Sequence, residues 1–175
     1  MTIAARAAHA RNLVGPLMRA AYRVVVEDSE CVPTQGAALL VCSWNNVATP
    51  AVLKSAVPRP VHVWAGGAAA LSGGVLTLCG DLPVPESHPG ISALRRALAL
   101  IAEGAVVAAV GIADVGYLIS RTSVPVVPVR IEGPQVRRST DPPRWGSVVR
   151  VAFGSVRIPD SSLLSSAPTM GTTMA

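Results

Sequence analysis

Aromatic residues make up only 3% of the chain, and charged residues only 14%. The scarcity of aromatic rings argues against an aromatic-rich sandwich, so the core must be packed from Val, Leu, Ile and Ala. Half of the residues are hydrophobic, which excludes disorder over most of the sequence. With 175 residues, the chain is long enough to form one domain with a substantial core.

Acidic residues are absent from the first 26 positions, and only one of the 15 basic residues is a lysine, Lys54. The net charge of +5 favours an anionic partner, either nucleic acid or the head groups of an acidic membrane. No nucleic-acid-binding motif accompanies the charge, so we expect no nucleic-acid partner. The alternative explanation for the arginine-rich composition is genomic base composition.

Cysteine is rare and unevenly spaced, at Cys31, Cys42 and Cys79, and the three histidines are scattered. This pattern contains neither a disulfide framework nor metal-ligand spacing, so we predict a cytoplasmic protein without metal or cofactor. The longest apolar stretch, residues 97–119, is interrupted by glycines and acidic residues, and no secretory signal is recognisable. We therefore expect neither a transmembrane span nor secretion.

The first 23 residues predict an amphipathic helical segment, which Pro16 should kink or divide in two. The apolar stripe consists of Leu13, Val14, Leu17, Met18 and Ala21, and the opposite face carries His9, Asn12, Arg19 and Arg23. One interpretation is a helix lying on the inner face of the plasma membrane. The membrane-contacting residues would then be Arg19, Arg23, Leu13 and Leu17. The other interpretation is an ordinary helix docked on its own domain.

Strand and helix patterns alternate along the rest of the chain, which predicts an α/β fold with a largely parallel central sheet flanked by helices. The predicted strands are residues 22–26, 37–42, 61–64, 105–110, 125–131 and 148–153, with one or two more within 75–84. The predicted helices are residues 51–55, 91–102 and 112–121, and Gly104 should end the second of them. We divide the chain into an N-terminal helical segment (1–23), an α/β domain (24–159) and a flexible tail (160–175).

Residues 41–50 carry the polar groups that follow a buried strand and precede a helix. Side chains at such a turn converge at the carboxyl edge of a parallel sheet, where α/β proteins bind ligands. The polar residues of this turn are Ser43, Asn45, Asn46 and Thr49, and an indole, Trp44, stands among them. None of these is a strong general base at neutral pH.

The ordered blocks of residues 22–159 resemble the glycerolipid acyltransferases, the family of the 1-acylglycerol-3-phosphate acyltransferases. Residues 39–50 look like the family's catalytic strand and turn, and residues 80–84 (Gly-Asp-Leu-Pro-Val) look like its second block. Residues 124–131 (Val-Pro-Val-Val-Pro-Val-Arg-Ile) closely match its fourth block, and residues 149–159 look like its closing strand. The resemblance implies an acyltransferase-like fold and a ligand that is a lipid or an acyl chain.

The family's chemistry uses the motif Asn-His-x-Ser-x-x-Asp, in which the His takes a proton from a glycerol hydroxyl and the Asp orients the imidazole. In this alignment, Trp44 occupies the His position and Thr49 the Asp position. An indole N–H donates and cannot accept a proton, and Thr49 carries no charge to stabilise an imidazolium. The resemblance therefore implies a catalytically silent member in which Trp44, Asn45, Asn46 and Thr49 line a remnant pocket.

Two phosphate-binding devices of the family are also missing. Where the second block ends in an Arg that grips the acceptor phosphate, this chain has Pro85 and Glu86, and a carboxylate repels that phosphate. The third block is deleted, because residues 106–110 run directly into Gly-Ile-Ala. His62, in a strand pattern, and His88, in a loop pattern, are the only other candidate bases in the domain, and we interpret both as non-catalytic.

We expect a silent acyltransferase-like protein that partners a lipid, an acidic membrane or an active lipid-modifying enzyme. Two alternatives stay open. The first is an active acyltransferase with rearranged catalytic residues, and the second is an unrelated α/β interaction module. A further basic patch, formed by Arg137, Arg138, Arg144, Trp145 and Arg150, is interpreted as a solvated loop or as a contact for acidic head groups.

Overall fold

The computed structural model of the protein describes residues 3–71, 73–84, 91–112 and 115–159. Within these residues the α-helices are α1 (Ile3–Ala21), α2 (Thr49–Ala56), α3 (Gly73–Leu78), α4 (Ile91–Ala102) and α5 (Val115–Thr122). The strands are β1 (Arg23–Glu27), β2 (Ala38–Cys42), β3 (Val61–Ala65), β4 (Leu82–Pro83), β5 (Val106–Val110), β6 (Val126–Glu132) and β7 (Val148–Phe153). Two short 3₁₀ helices cover Ser29–Cys31 and Gly67–Ala70. The predicted tail, residues 160–175, lies outside the described residues.

All seven of these strands belong to one sheet in the order β1-β7-β6-β2-β5-β3-β4. Neighbouring strands are parallel, except that β6 and β7 are antiparallel. Because β1 pairs in parallel with β7, this two-stranded edge runs opposite to the other five strands. The predicted α/β fold with a largely parallel sheet and flanking helices is confirmed.

Both faces of the central strands are largely buried, which explains why β2 and β5 read as continuous apolar runs. On one face, Leu40 packs with Val52 and Leu53 of α2. On the other face, Leu39 packs with Ala97 of α4 and Leu118 of α5. Full burial of each such leucine contributes roughly 1.5–3 kcal/mol, so the two core layers fix the strand register.

Helix α1 docks on its own domain, because Ala7, Ala10 and Met18 are buried in its contact with the rest of the chain. One helix runs through Pro16, where the sequence predicted a kink or a second helix. Leu13 and Leu17, which belong to the predicted apolar stripe of this helix, are 75% and 67% exposed. No helix in the described part of the chain combines the length and apolar character needed to cross a membrane.

Of the one or two short strands predicted within residues 75–84, the structure has one, Leu82–Pro83, and the first part of this range belongs to α3. The Val-Leu-Thr-Leu sequence of residues 75–78 suits either structure, because short apolar runs do not distinguish a helix from a strand. Gly80 follows α3 and has φ +77°, the left-handed conformation with which many helices end. The hydrogen bond from Asp81 N to Leu76 O, at 2.8 Å, closes this helix end.

Candidate functional site

The turn between β2 and α2 lies where the sequence placed it, at the carboxyl ends of adjacent parallel strands. Cys42, the last residue of β2, is paired with Val110 of β5 and Val129 of β6. The next amide, Ser43 N, continues the ladder by donating to Val129 O at 3.1 Å. Residues 43–48, which we call the β2–α2 turn, therefore meet the segments that follow β5 and β6.

Asn46 is fully buried and connects this turn to the segment before β7. Its Nδ2 donates to the carbonyls of Ser139 and Asp141, both at 2.9 Å, and its Oδ1 accepts from Ala48 N at 2.9 Å. Both amide donors are thus occupied by backbone acceptors. The side chain holds two loops together and has no N–H left for a ligand.

Thr49 is also fully buried and closes the first turn of α2. Its Oγ1 accepts from Asn46 N at 3.0 Å and donates to Trp44 O at 3.3 Å. A hydroxyl bound at both ends in this way stabilises the turn that leads into the helix.

Asn45 fills the space between the loops that follow β3 and β5. Its Oδ1 accepts from Ala69 N at 3.0 Å. A Cβ atom added to Gly67 or Gly111 would lie only 2.6 or 2.4 Å from Asn45 Nδ2, so both positions need glycine. Their φ angles of +54° and +62° add a second reason, since L side chains rarely adopt this conformation.

Trp44 is half-buried and packs over the backbone that follows β6. Its ring carbons would lie 3.2 Å from a Cβ atom added to Gly133. Of the four predicted pocket residues, Trp44 and Asn45 are partly accessible, whereas Asn46 and Thr49 are enclosed. That these residues line a ligand pocket stays a prediction. Of the four, Trp44 and Asn45 are the ones that a ligand could contact.

We expect Asn46→Ala to lower the free energy of unfolding by about 2–3 kcal/mol, because it leaves buried backbone groups without partners. Chemical denaturation monitored by circular dichroism measures the change. Asn12→Ala is the matched control, since Asn12 is exposed on α1, and it should change stability by less than about 0.5 kcal/mol. Equal effects of the two substitutions would show that Asn46 does not hold the turn.

A cavity of about 590 Å³ begins beside the β2–α2 turn and is reached by Ser43. Its walls are mostly apolar, with a guanidinium, Arg130, and a carboxylate, Asp28, as the charged groups; the apolar lining is Val41, Pro128, Val129, Ala152 and Phe153. Cys42 also lines it, but burial raises the pKa of this thiol to about 12. The thiol therefore stays protonated and is not an activated nucleophile.

The structure contains a buried ion pair that the sequence analysis did not anticipate. Lys54 of α2 lies 2.8 Å from Asp81, measured from Nζ to Oδ1, and both side chains are inaccessible to solvent or nearly so. Lys54 Nζ also donates to Val61 O at 3.1 Å, and Asp81 Oδ1 also accepts from Val63 N at 2.9 Å. The one signal in the sequence was that Lys54 is the single lysine of the chain and follows an apolar run.

Of the two histidines that could have replaced the missing base, the structure describes His62, which does not enter the β2–α2 turn. His62 is buried within β3, and its Nδ1 lies 2.7 Å from Gly80 O. Burial lowers the pKa of His62, which keeps the ring neutral. His88 lies outside the described residues, as do Pro85 and Glu86.

The residues of the predicted basic patch lie in two separate places. Arg137, Arg138 and Arg144 are exposed in the loop before β7, and Trp145 is 79% exposed. Arg150 lies instead on β7, 3.7 Å from Glu27 of β1. The loop is fixed to the end of α1, because Tyr22 Oη donates to Pro143 O at 3.0 Å and Gly146 N donates to Ala21 O at 2.8 Å. Arg144 and Trp145 therefore lie beside the C-terminal end of α1.

The fold is similar to that of a solved acyltransferase. The crystal structure of the 1-acyl-sn-glycerophosphate (LPA) acyltransferase PlsC from Thermotoga maritima aligns with a TM-score of 0.61 at 14% sequence identity. The alignment covers 94% of this chain and 72% of that protein. No protein-family model and no curated protein matches the sequence. The protein therefore has an acyltransferase-like fold.

Proposed function

We propose that this acyltransferase-like protein is catalytically silent and works as a lipid-binding or regulatory partner in membrane lipid metabolism. Its place would be the cytoplasmic face of the plasma membrane, where it binds a lipid or acyl chain or assists an active lipid-modifying enzyme. The observation that carries the proposal is the β2–α2 turn. An indole and a threonine stand where this fold's chemistry needs a base and a carboxylate.

The hydrogen bonds of the turn support this proposal. The polar side-chain atoms of Asn46 and Thr49 form hydrogen bonds with backbone groups. These bonds stabilise the turn and leave the two side chains unavailable for catalysis. Neither Trp44 nor Asn45 can accept a proton from a hydroxyl at neutral pH. Without a general base, acyl transfer would lose on the order of 10²–10⁴ in rate.

The cavity beside Ser43 supports the lipid-binding part of the proposal. Val41, Pro128 and Phe153 give it apolar walls suited to an acyl chain, and Arg130 is the cationic group that could meet an acidic head. Arg130 is not free, since its guanidinium lies 2.7 Å from Glu132 in an exposed ion pair. An exposed pair of this kind contributes only about 0–1 kcal/mol, so an anionic ligand could replace it.

The surface around α1 supports membrane association. Leu13 and Leu17 point away from the core, and Arg19 is exposed on the same helix. Trp145, on the loop tied to the helix end, adds an exposed indole, a side chain that favours the boundary between water and lipid. Basic residues near an anionic membrane contribute about 1 kcal/mol each, so several of them give useful affinity.

An assay with acyl-CoA and lysophosphatidate tests the silent turn. We expect no acyl transfer above the rate without protein, and no change in Trp44→Ala. Turnover that persists in Trp44→Ala and is lost in His62→Ala would overturn the proposal in favour of an enzyme with rearranged catalytic residues. Circular dichroism of both variants verifies that they are folded.

Sedimentation with liposomes tests membrane association. The protein should sediment with vesicles that contain an anionic phospholipid, and added salt should reduce binding because it screens the charges. Leu13→Glu combined with Leu17→Glu should reduce the bound fraction by about tenfold or more, since charged side chains oppose insertion at the interface. Ile91→Glu is the matched control, because Ile91 is an exposed apolar residue of α4 on the opposite layer. A bound fraction that the double variant leaves unchanged would contradict the role of α1.

A further inference from the structure

A cleft of about 330 Å³ lies between α1 and α2, and we call it the α1–α2 cleft. It shares no lining residue with the cavity beside Ser43, and its volume is at the lower end of the range of small-molecule sites. The guanidinium groups of Arg11 and Arg19 line it, and the charge of Lys54 is already paired with Asp81. The remaining lining is formed by Asn12, Gly15, Pro16, Lys54 and Ser55. The cleft is therefore cationic, and its described lining contains no carboxylate.

The two arginines of the cleft reach the same end of α2. Arg11 and Arg19 are eight residues apart on α1, which corresponds to about 12 Å along the helix axis. Arg11 Nε donates to Val57 O at 3.2 Å, and Arg19 Nη2 donates to Ser55 O at 3.1 Å. The Cα atoms of residues two positions apart are separated by at most about 7 Å. Both guanidinium groups are therefore held at one short segment of chain.

Most of the N–H donors of these two arginines remain available. A guanidinium carries five N–H donors, and each arginine uses one of them on a carbonyl of α2 or of its C-terminal cap. Neither arginine forms an ion pair with another described residue. The end of a helix carries only about half a negative charge, so the two positive charges exceed it. An anion with several acceptor oxygens would meet donors that are already fixed in place.

Gly15 keeps space open between the two arginines. It lies four residues after Arg11 and four before Arg19, and residues at this spacing are neighbours on one helical face. Glycine inside a helix is less stable than alanine, and its φ at this position is not positive. A Cβ atom added there would meet nothing within 4 Å, so no neighbouring group requires glycine either. What the glycine provides is room within the lining of the cleft.

We propose that the α1–α2 cleft binds a phosphate monoester group between Arg11 and Arg19. Such a group carries about −1.5 to −2 charges near neutral pH and presents three acceptor oxygens, and guanidinium groups bind phosphate through paired N–H donors. A carboxylate has one charge and two oxygens, so it would satisfy fewer of the donors. The phosphate belongs either to a soluble molecule or to the head group of phosphatidic acid, and the experiments below distinguish these two sources.

Calorimetric titration with inorganic phosphate tests the site in the absence of a membrane. We expect saturable binding that the double variant Arg11→Gln, Arg19→Gln weakens about tenfold or more, because it removes hydrogen bonds between charged groups. The matched control is Arg95→Gln, Arg96→Gln, which removes the same charge from exposed positions of α4 and should leave binding unchanged. An equal loss in both double variants would show that net charge alone attracts phosphate and would refute the site.

Gly15→Leu fills the cleft and keeps both arginines. This variant should fold, because leucine favours a helix and the space beside Gly15 is open. We expect it to weaken phosphate binding about tenfold or more. Ala20→Leu is the matched control, since Ala20 is exposed on α1 and does not line the cleft, and it should bind phosphate like the unmodified protein. Full binding by Gly15→Leu would exclude the cleft as the site.

Vesicles identify the source of the phosphate. Phosphatidylcholine vesicles that contain phosphatidic acid are compared with vesicles of equal surface charge that contain phosphatidylglycerol, whose phosphate is a diester. A preference for phosphatidic acid that Gly15→Leu removes would identify the lipid head group, whereas binding of inorganic phosphate without this preference would identify a soluble ligand. Neither binding nor preference would overturn the proposal. The vesicle experiment rests on the proposed membrane association and the calorimetric one does not, so the two proposals fail separately.

Discussion

Lys54→Met should lower the free energy of unfolding by about 3–5 kcal/mol at pH 8, because it leaves the Asp81 carboxylate buried without its cation. The methionine keeps the length of the lysine stem, so the change removes charge more than volume. Asp81 has no exposed side-chain surface, so solvent cannot replace the lost partner. Urea denaturation at a series of pH values measures the effect.

The pH dependence of this variant has a definite sign. The pKa of Asp81 is already raised from 3.8 to about 6 by burial, and Lys54 opposes that rise. Removing Lys54 raises this pKa further, so the folded state of the variant binds a proton that the unfolded state releases. Its stability is therefore best below about pH 4 and falls as the pH rises through the folded-state pKa. The loss should be clearly smaller at pH 5 than at pH 8.

The double variant Lys54→Met, Asp81→Asn provides the control. It carries no buried charge, so most of the lost stability should return, and the dependence on pH between 5 and 8 should disappear. A double variant as unstable as Lys54→Met would show that the cost comes from packing around the methionine. A flat pH profile for Lys54→Met would show that Asp81 does not titrate as argued.

Gly111→Ala should lower the free energy of unfolding by about 2–5 kcal/mol, the sum of backbone strain and overpacking. Gly111 has φ +62°, and a Cβ atom there would lie 2.4 Å from Asn45 Nδ2 and 2.9 Å from Gly66 O. The backbone oxygen cannot move aside as the end of a side chain can, so the loops after β3 and β5 would have to separate. Thermal or urea denaturation measures the loss.

Gly146→Ala separates the two causes. Gly146 has a comparable φ of +78°, but a Cβ atom there would meet nothing within 4 Å. This control should therefore cost only the backbone strain, about 1–2 kcal/mol. Equal losses at the two positions would show that the close approach of Asn45 and Gly66 to Gly111 contributes nothing.

The sequence predicted the fold where local chemistry and burial agree. The apolar runs of β2 and β5 are long enough to cover both faces of a strand, and the observed bounds differ from the predicted ones by one residue. Helix α4 matches its predicted range, and Gly104, with φ +81°, ends it as expected. In these segments, periodicity and the terminating glycine point to the same structure.

The sequence left the outcome open where tertiary contacts decide it. Leu13 and Val14 are neighbours on one apolar stripe, but docking of α1 on α2 turns Val14 inward and leaves Leu13 exposed. The pairing of Lys54 with Asp81 could not be predicted either, since charged residues are almost never fully buried and nothing local marks these two as partners. For the β2–α2 turn, the location was predictable from the sequence, but the hydrogen bonds that enclose Asn46 and Thr49 were not.

The pairing of β1 with β7 joins the first strand of the sheet to the last one. During synthesis from the N-terminus, β1 leaves the ribosome long before β7, its hydrogen-bonded neighbour in the described part of the sheet, exists. The Val-Val-Val stretch of residues 24–26 thus stays an unpaired, apolar strand edge until β7 has been made. Slowing translation just before β7 should therefore promote aggregation of the nascent protein.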